Sequence, residues 1–190
     1  MTEVVLFHHV LGLTPGVTDL ADRLRAAGHS VHTPDLFDGK TFGDLPAGLA
    51  FVQGLGFGTL LDRGMAAVDE LPTDMVYAGM SLGVLPAQML TQRRPGALGG
   101  IFLESCVPES EFGPWPAGVP AQVHGMDADP FFAGEGDIDN AQSLAESEPG
   151  VVVYTYPGDR HLFTDSSLPT YDAEATDLVL DRALAFLADR

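Results

Sequence analysis

The chain has 190 residues, of which 45% are hydrophobic, enough to bury a full apolar core, and a single domain is expected. Acidic residues outnumber basic ones 27 to 9, and the formal net charge of −18 repels phosphate backbones and anionic lipid, so nucleic acid and membrane surfaces are disfavoured as partners. Cys106 is the only cysteine, which excludes an intrachain disulfide, and no apolar run approaches the length of a membrane span; a soluble cytoplasmic protein is expected.

Strand-like and helix-like segments alternate from end to end, the pattern of a parallel sheet wound with helices on both faces. Val4–His8 reads as a first strand. Its interrupting histidines, and the absence of a basic leader, set it apart from a signal peptide. Val17–Ala27 follows as a helix with Leu20, Leu24 and Ala27 at helical spacing, closed by Gly28, and Ser30–Pro34 is a second strand. After an irregular stretch come helices over 42–51 and 59–71, hinged at Gly54-Leu55-Gly56-Phe57-Gly58. That glycine-rich hinge follows no strand and lacks the third glycine of a dinucleotide fingerprint, so no cofactor is expected.

Met75–Ala78 is a third strand, and it runs into Gly79-Met80-Ser81-Leu82-Gly83 before a helix over 84–93. Strand, Gly-x-Ser-x-Gly, helix is the context of a nucleophile elbow, a sharp turn that lifts a serine hydroxyl above the end of a strand. Leu98–Leu103 is a fourth strand, with Cys106 just beyond it as a buried structural thiol. Residues 108–120 form a loop in which Trp115 is either a wall of the site or a core anchor. Ala121–His124 reads as a fifth strand stopped at Gly125, which leaves Asp127 and Asp129 in the loop beyond. A helix over 137–148 precedes Val151–Tyr156, a sixth strand stopped by Pro157-Gly158, with His161 in the loop after it; a last amphipathic helix covers 172–188.

A hydroxyl, a carboxylate and an imidazole therefore follow three strands in the order Ser81, Asp129 or Asp127, His161, the chain order of an α/β-hydrolase triad. Asp129 is favoured by the following Pro130 and Asp127 by its spacing from Gly125. In this reading Ser81 attacks an acyl carbonyl, His161 is the base, and the backbone N–H groups of Leu82 and Val10 form the oxyanion hole. His9 either lines the site or is satisfied by backbone; His8 is structural. His124 with Asp127 and Asp129 lacks the spacing of a metal-ligand set, so no metal is expected.

The sequence resembles the dienelactone hydrolase family of α/β-hydrolases over nearly its full length. The likeness is carried by His8-His9-Val10-Leu11-Gly12-Leu13, by 20–29, by Thr33-Pro34-Asp35-Leu36-Phe37, by the elbow and by Gly158-Asp159-Arg160-His161-Leu162-Phe163. The resemblance implies a compact, lidless α/β-hydrolase fold and a nucleophile–His–Asp triad acting on small esters or lactones. Three positions depart from the family pattern: Ser81 stands where the nucleophile is usually cysteine, His9 where a glutamate contacts it, and Asp165 at the spacing of an arginine that holds a substrate carboxylate. A negative Asp165 in the site would repel an anionic lactone, so the expected substrate is a neutral or cationic ester, lactone or thioester. A thioesterase or acyltransferase on the same residues, and a non-catalytic ligand-binding protein, are the alternatives.

Overall fold

A computed structural model describes residues 1–190. Six parallel strands form one sheet: β1 (Glu3–Phe7), β2 (Ser30–His32), β3 (Met75–Met80), β4 (Gly99–Leu103), β5 (Ala121–Met126) and β6 (Val151–Tyr156), in the spatial order β2-β1-β3-β4-β5-β6. The helices are α1 (Pro15–Ala26), α2 (Leu45–Leu55), α3 (Phe57–Ala66), α4 (Val84–Arg93), α5 (Asp137–Ser147) and α6 (Ala173–Ala188).

Alternation along the central strands assigns each side chain to a layer. Val5, Phe7, Met75 and Tyr77 join one core with Val52, Leu60, Val84, Leu90 and Leu144 of α2 to α5. Val4, Leu6, Val76, Ala78 and Met80 join the other with Leu20 and Leu24 of α1 and Val179, Leu180 and Leu187 of α6. Burial on both faces accounts for the near-continuous apolar runs that the strands show in the sequence. No helical cap interrupts the sheet: residues 104–120, between β4 and β5, are loop with one turn of 3-10 helix at Glu109–Glu111.

From β1 the chain winds outward to β2, then returns across the sheet to β3 on the other side of β1. Such a reversal opens a crevice beyond the carboxyl ends of the two diverging strands, where ligands of open α/β sheets bind. Phe7 pairs with Gly79, so Val10 and Ser81 leave the sheet beside each other at that crevice.

Several boundaries differ from those read in the sequence, and local bonds explain them. Thr14 accepts from Val17 N–H, and α1 therefore begins at Pro15 rather than at Val17. Asp44 caps α2 in the same way through Ala47 N–H, moving its start from 42 to Leu45. The predicted hinge is a turn at Gly56, and α3 ends at Ala66, five residues short of the expected end, where Val68 N–H bonds to the Met65 carbonyl. β2 stops at His32, ahead of Pro34, which has no N–H for the ladder. Gly125 does not end β5; it lies inside the strand because the Phe132 ring fills the space a Cβ would need.

Candidate active site

The elbow is built from close backbone approach. A Cβ on Gly79 would strike the Gly83 carbonyl, and one on Gly83 would strike the Phe7 and His8 carbonyls, so neither position admits a side chain. Ser81 between them has φ +47°, left-handed backbone that costs a non-glycine residue about 1 to 2 kcal/mol and turns its hydroxyl outward. A short 3-10 turn at Ser81–Gly83 then feeds α4.

Ser81 Oγ lies 2.9 Å from His161 Nε2, and His161 Nδ1 lies 2.7 Å from Asp129 Oδ2. Asp129 is fully buried, and its other oxygen accepts from Phe131 N–H at 2.8 Å. These bonds define the imidazole: Nδ1–H donates to the carboxylate, leaving the Nε2 lone pair for the serine O–H. Burial pushes the pKa of His161 down, but the Asp129 hydrogen bond, together with the carboxyl groups of Glu104, Asp129 and Asp137 around the ring, outweighs it, and the net shift is upward. The Phe131 ring packs against the imidazole, centroids 4.6 Å apart.

Ser81 and His161 open into a cavity of about 230 Å³, below the ~300 Å³ at which drug-sized pockets begin, so it suits a small ligand. Val10, Leu45, Leu49, Leu82, Leu85, Val107 and Phe131 form its apolar wall, Glu104, Glu135 and Asp137 supply carboxyl groups, and no lysine or arginine lines it. Val10 and Leu82 line this cavity, and the N–H of neither donates to a loop carbonyl or to a side chain. Backbone N–H groups of residues that share a cavity with a serine hydroxyl are the kind of donor that can hold a developing oxyanion.

The remaining candidates lie elsewhere. Asp127 is exposed and accepts from Gly158 N–H, which ties the loop after β5 to the loop after β6 without reaching His161. His9, for which the sequence leaves lining the site and being satisfied by backbone both open, is fully buried and does not line the cavity: Nδ1 accepts from Leu11 N–H and Nε2–H donates to Asp165 at 2.7 Å. Asp165 is not in the cavity either. Its oxygens take hydrogen bonds from His9, Thr14, Ser167 N–H and Ser167 O–H, and although burial opposes the charge, these donors hold its pKa at about 2. The pair clips the loop carrying Val10 to the loop carrying His161, and the expected repulsion of anionic substrates by Asp165 has no structural basis. Trp115 is a core anchor, not a wall: it packs edge-on against Phe102, and its Nε1–H donates to the Val119 carbonyl.

His8 donates from Nδ1 to the His9 carbonyl and accepts at Nε2 from Leu36 N–H, with burial lowering its pKa to about 4. His124 is spent on Tyr156 O–H and Gln122, and burial takes its pKa to about 3, so it does not join Asp127 and Asp129 in any cluster. No group of three His, Cys, Asp or Glu side chains is assembled to hold a metal. Sequence reading missed Glu104, Glu135 and Asp137. For Glu104 a signal existed, since an acidic residue directly after the apolar run Ile101-Phe102-Leu103 stands at a strand end, as Ser81 does.

No curated protein matches the sequence. Among solved structures, a candidate dienelactone hydrolase from Klebsiella pneumoniae superposes with a TM-score of 0.79 at 16% identity, covering 100% of this chain and 88% of that one. A dienelactone hydrolase-like promiscuous phosphotriesterase from metagenomic libraries gives 0.77 at 18% identity over 100% and 86% of the two chains. A thermophilic esterase from the planctomycete Thermogutta terrifontis gives 0.70 at 14% identity over 99% and 83%. These likenesses establish the α/β-hydrolase fold. The family model described as the dienelactone hydrolase family matches residues 1–190, and the chain belongs to that family.

Proposed function

We propose that this protein is a serine hydrolase that cleaves a small neutral or cationic ester or lactone through an acyl-enzyme on Ser81. The observation carrying this reading is the unbroken hydrogen-bond chain from Ser81 through His161 to Asp129 at the floor of an apolar cavity. Serine is a weak nucleophile at neutral pH and needs a base at hydrogen-bond distance, which the imidazole supplies. As Ser81 Oγ attacks the acyl carbonyl, its proton passes to His161 Nε2, and Asp129 stabilises the resulting imidazolium without taking a proton. The N–H groups of Leu82 and Val10 receive the oxyanion, each such donor contributing ~3 kcal/mol to the transition state. His161 then protonates the leaving group, and a water activated by the same nitrogen releases the acid.

Substrate charge follows from the lining. Glu135 and Asp137 border the cavity with no guanidinium or ammonium opposite them, which disfavours an anionic acyl group. The test is a panel of p-nitrophenyl esters, lactones and acyl-thioesters of matched chain length, with neutral, cationic and anionic members. Turnover of short neutral or cationic oxygen esters, lowered roughly 10⁴- to 10⁶-fold by S81A, is expected. Preference for thioesters would move the reading to a thioesterase, and turnover unaffected by S81A would end it.

A further inference from the structure

Glu104 is the one buried acid at the cavity that the proposed chemistry leaves unused. Met80 of β3 pairs in register with Leu103 of β4, so Ser81 and Glu104 are the next residues on adjacent strands and leave the sheet side by side. Both have left-handed backbone, φ +47° and +65°, as does Leu162, at +58°, next to His161. Two of the four non-glycine residues in that region thus line one cavity and a third adjoins its histidine, and such strain persists only where the surroundings enforce it.

The side chain of Glu104 is 1% exposed and reaches toward the loop that carries His161. Its Oε1 accepts from both Thr164 N–H, at 3.1 Å, and Thr164 O–H, at 2.9 Å. Thr164 is itself buried, three residues after His161. On the far side the same loop is tied to the start of α6, where Asp172 N–H and Thr176 O–H donate to the Phe163 carbonyl. The other oxygen of Glu104, Oε2, is buried with no partner.

Resting on the proposed serine chemistry, we infer that Glu104 is a positioning residue that clamps the His161 loop to the end of β4 through Thr164 and so sets the imidazole over Ser81. It does so uncharged. A carboxylate with one oxygen unsolvated in the interior costs several kcal/mol, whereas a carboxylic acid with its proton on Oε2 leaves Oε1 free to take both Thr164 bonds. Burial pushes the Glu104 pKa upward, and the opposing influences, His161 first, then the Thr164 bonds, then His9, do not cancel it. The groups facing the imidazole are then Asp129, bonded to Nδ1–H, Asp137 from α5, and Glu104 from the end of β4.

The test follows inactivation of the full chain by a fluorophosphonate, measuring kinact and KI across pH for wild type, E104L, E104Q and T164V, with folding checked by thermal melts. E104L removes the clamp, and kinact falls about 10- to 100-fold while KI stays near its wild-type value. E104Q keeps the Oε1 acceptor and recovers most of that loss. T164V, nearly isosteric, lowers kinact less because the N–H bond survives, and E104L/T164V is no slower than E104L because both act through one contact. With Glu104 uncharged, E104Q leaves the acidic limb of the profile in place; an ionised Glu104 would raise the His161 pKa, and its removal would shift that limb down by about one pH unit. The clamp is overturned if E104L and T164V both react at the wild-type rate, or if folded E104Q is as slow as E104L. The uncharged state is overturned by the shifted limb. Failure of wild-type Ser81 to react at all would instead refute the serine chemistry beneath the inference.

Discussion

Replacing Asp129 by asparagine tests the order of the hydrogen bonds rather than the mere presence of the residues. Asp129 Oδ1 is held by Phe131 N–H, so an asparagine side chain keeps its oxygen there and turns its NH₂ toward His161 Nδ1. The imidazole must then accept at Nδ1 and carry its proton on Nε2, where Ser81 needs a lone pair. A wrong tautomer of this kind costs roughly 10³- to 10⁴-fold in kcat, or about 4 to 5.5 kcal/mol. KM should change little, because Asp129 does not line the cavity. The pH profile carries a second signature. Turnover requires neutral His161, whose pKa is raised in the folded protein, so wild-type activity climbs as pH rises through that raised value. D129N deletes both the Asp129 bond and the Asp129 charge and moves the limb to lower pH, on a depressed plateau. D127N is the control: Asp127 is exposed and bonds only Gly158 N–H, and kcat within about threefold of wild type is expected. Steady-state hydrolysis of p-nitrophenyl acetate from about pH 5 to about pH 9 reads both effects. Activity of D129N within tenfold of wild type, or equal losses in the two variants, would refute the reasoning.

Two further predictions concern buried groups away from the chemistry. Asp165 has a folded pKa of about 2 against an ordinary 3.8, a depression worth about 2 kcal/mol of stability that is present above pH ~4 and lost as pH falls through ~2. D165N should therefore lower urea stability at pH 7 by at least that amount, with the gap to wild type narrowing in acid; a gap independent of pH would contradict the buried clip. Cys106 is fully buried, its thiol pushed up to about 12 by burial and by the nearby Asp137 charge. Iodoacetamide at pH 8 should label it only after unfolding, and rapid labelling of the native chain would show that the β4 end opens.

Legibility in the sequence followed the range of the interactions involved. Strands buried on both faces announce themselves as apolar runs, and Gly79 and Gly83 are local consequences of backbone contact, so the parallel sheet and the elbow were readable. Ends set by a single cap were not: Thr14 and Asp44 start their helices by one side-chain bond each. Gly125 suggested a strand end because the ring that explains it, Phe132, returns only after the loop. His9 and Asp165 pointed to the cavity by likeness of position, yet they lie 156 residues apart and satisfy one another, a pairing that no local pattern encodes. Trp115 left two readings open for the same reason, since Phe102 settles it from another strand. The choice of Asp129 over Asp127 was within reach, because both lie just beyond β5, but only the hydrogen bond to His161 separates them.

The central claim is that Ser81 is made nucleophilic by His161. Intact-mass analysis after treatment with a fluorophosphonate, followed by peptide mapping, tests it most directly. The account predicts one adduct per chain, on Ser81, formed at least ~10³-fold more slowly in H161A. An adduct at another residue, or labelling of Ser81 undiminished in folded H161A, would contradict it.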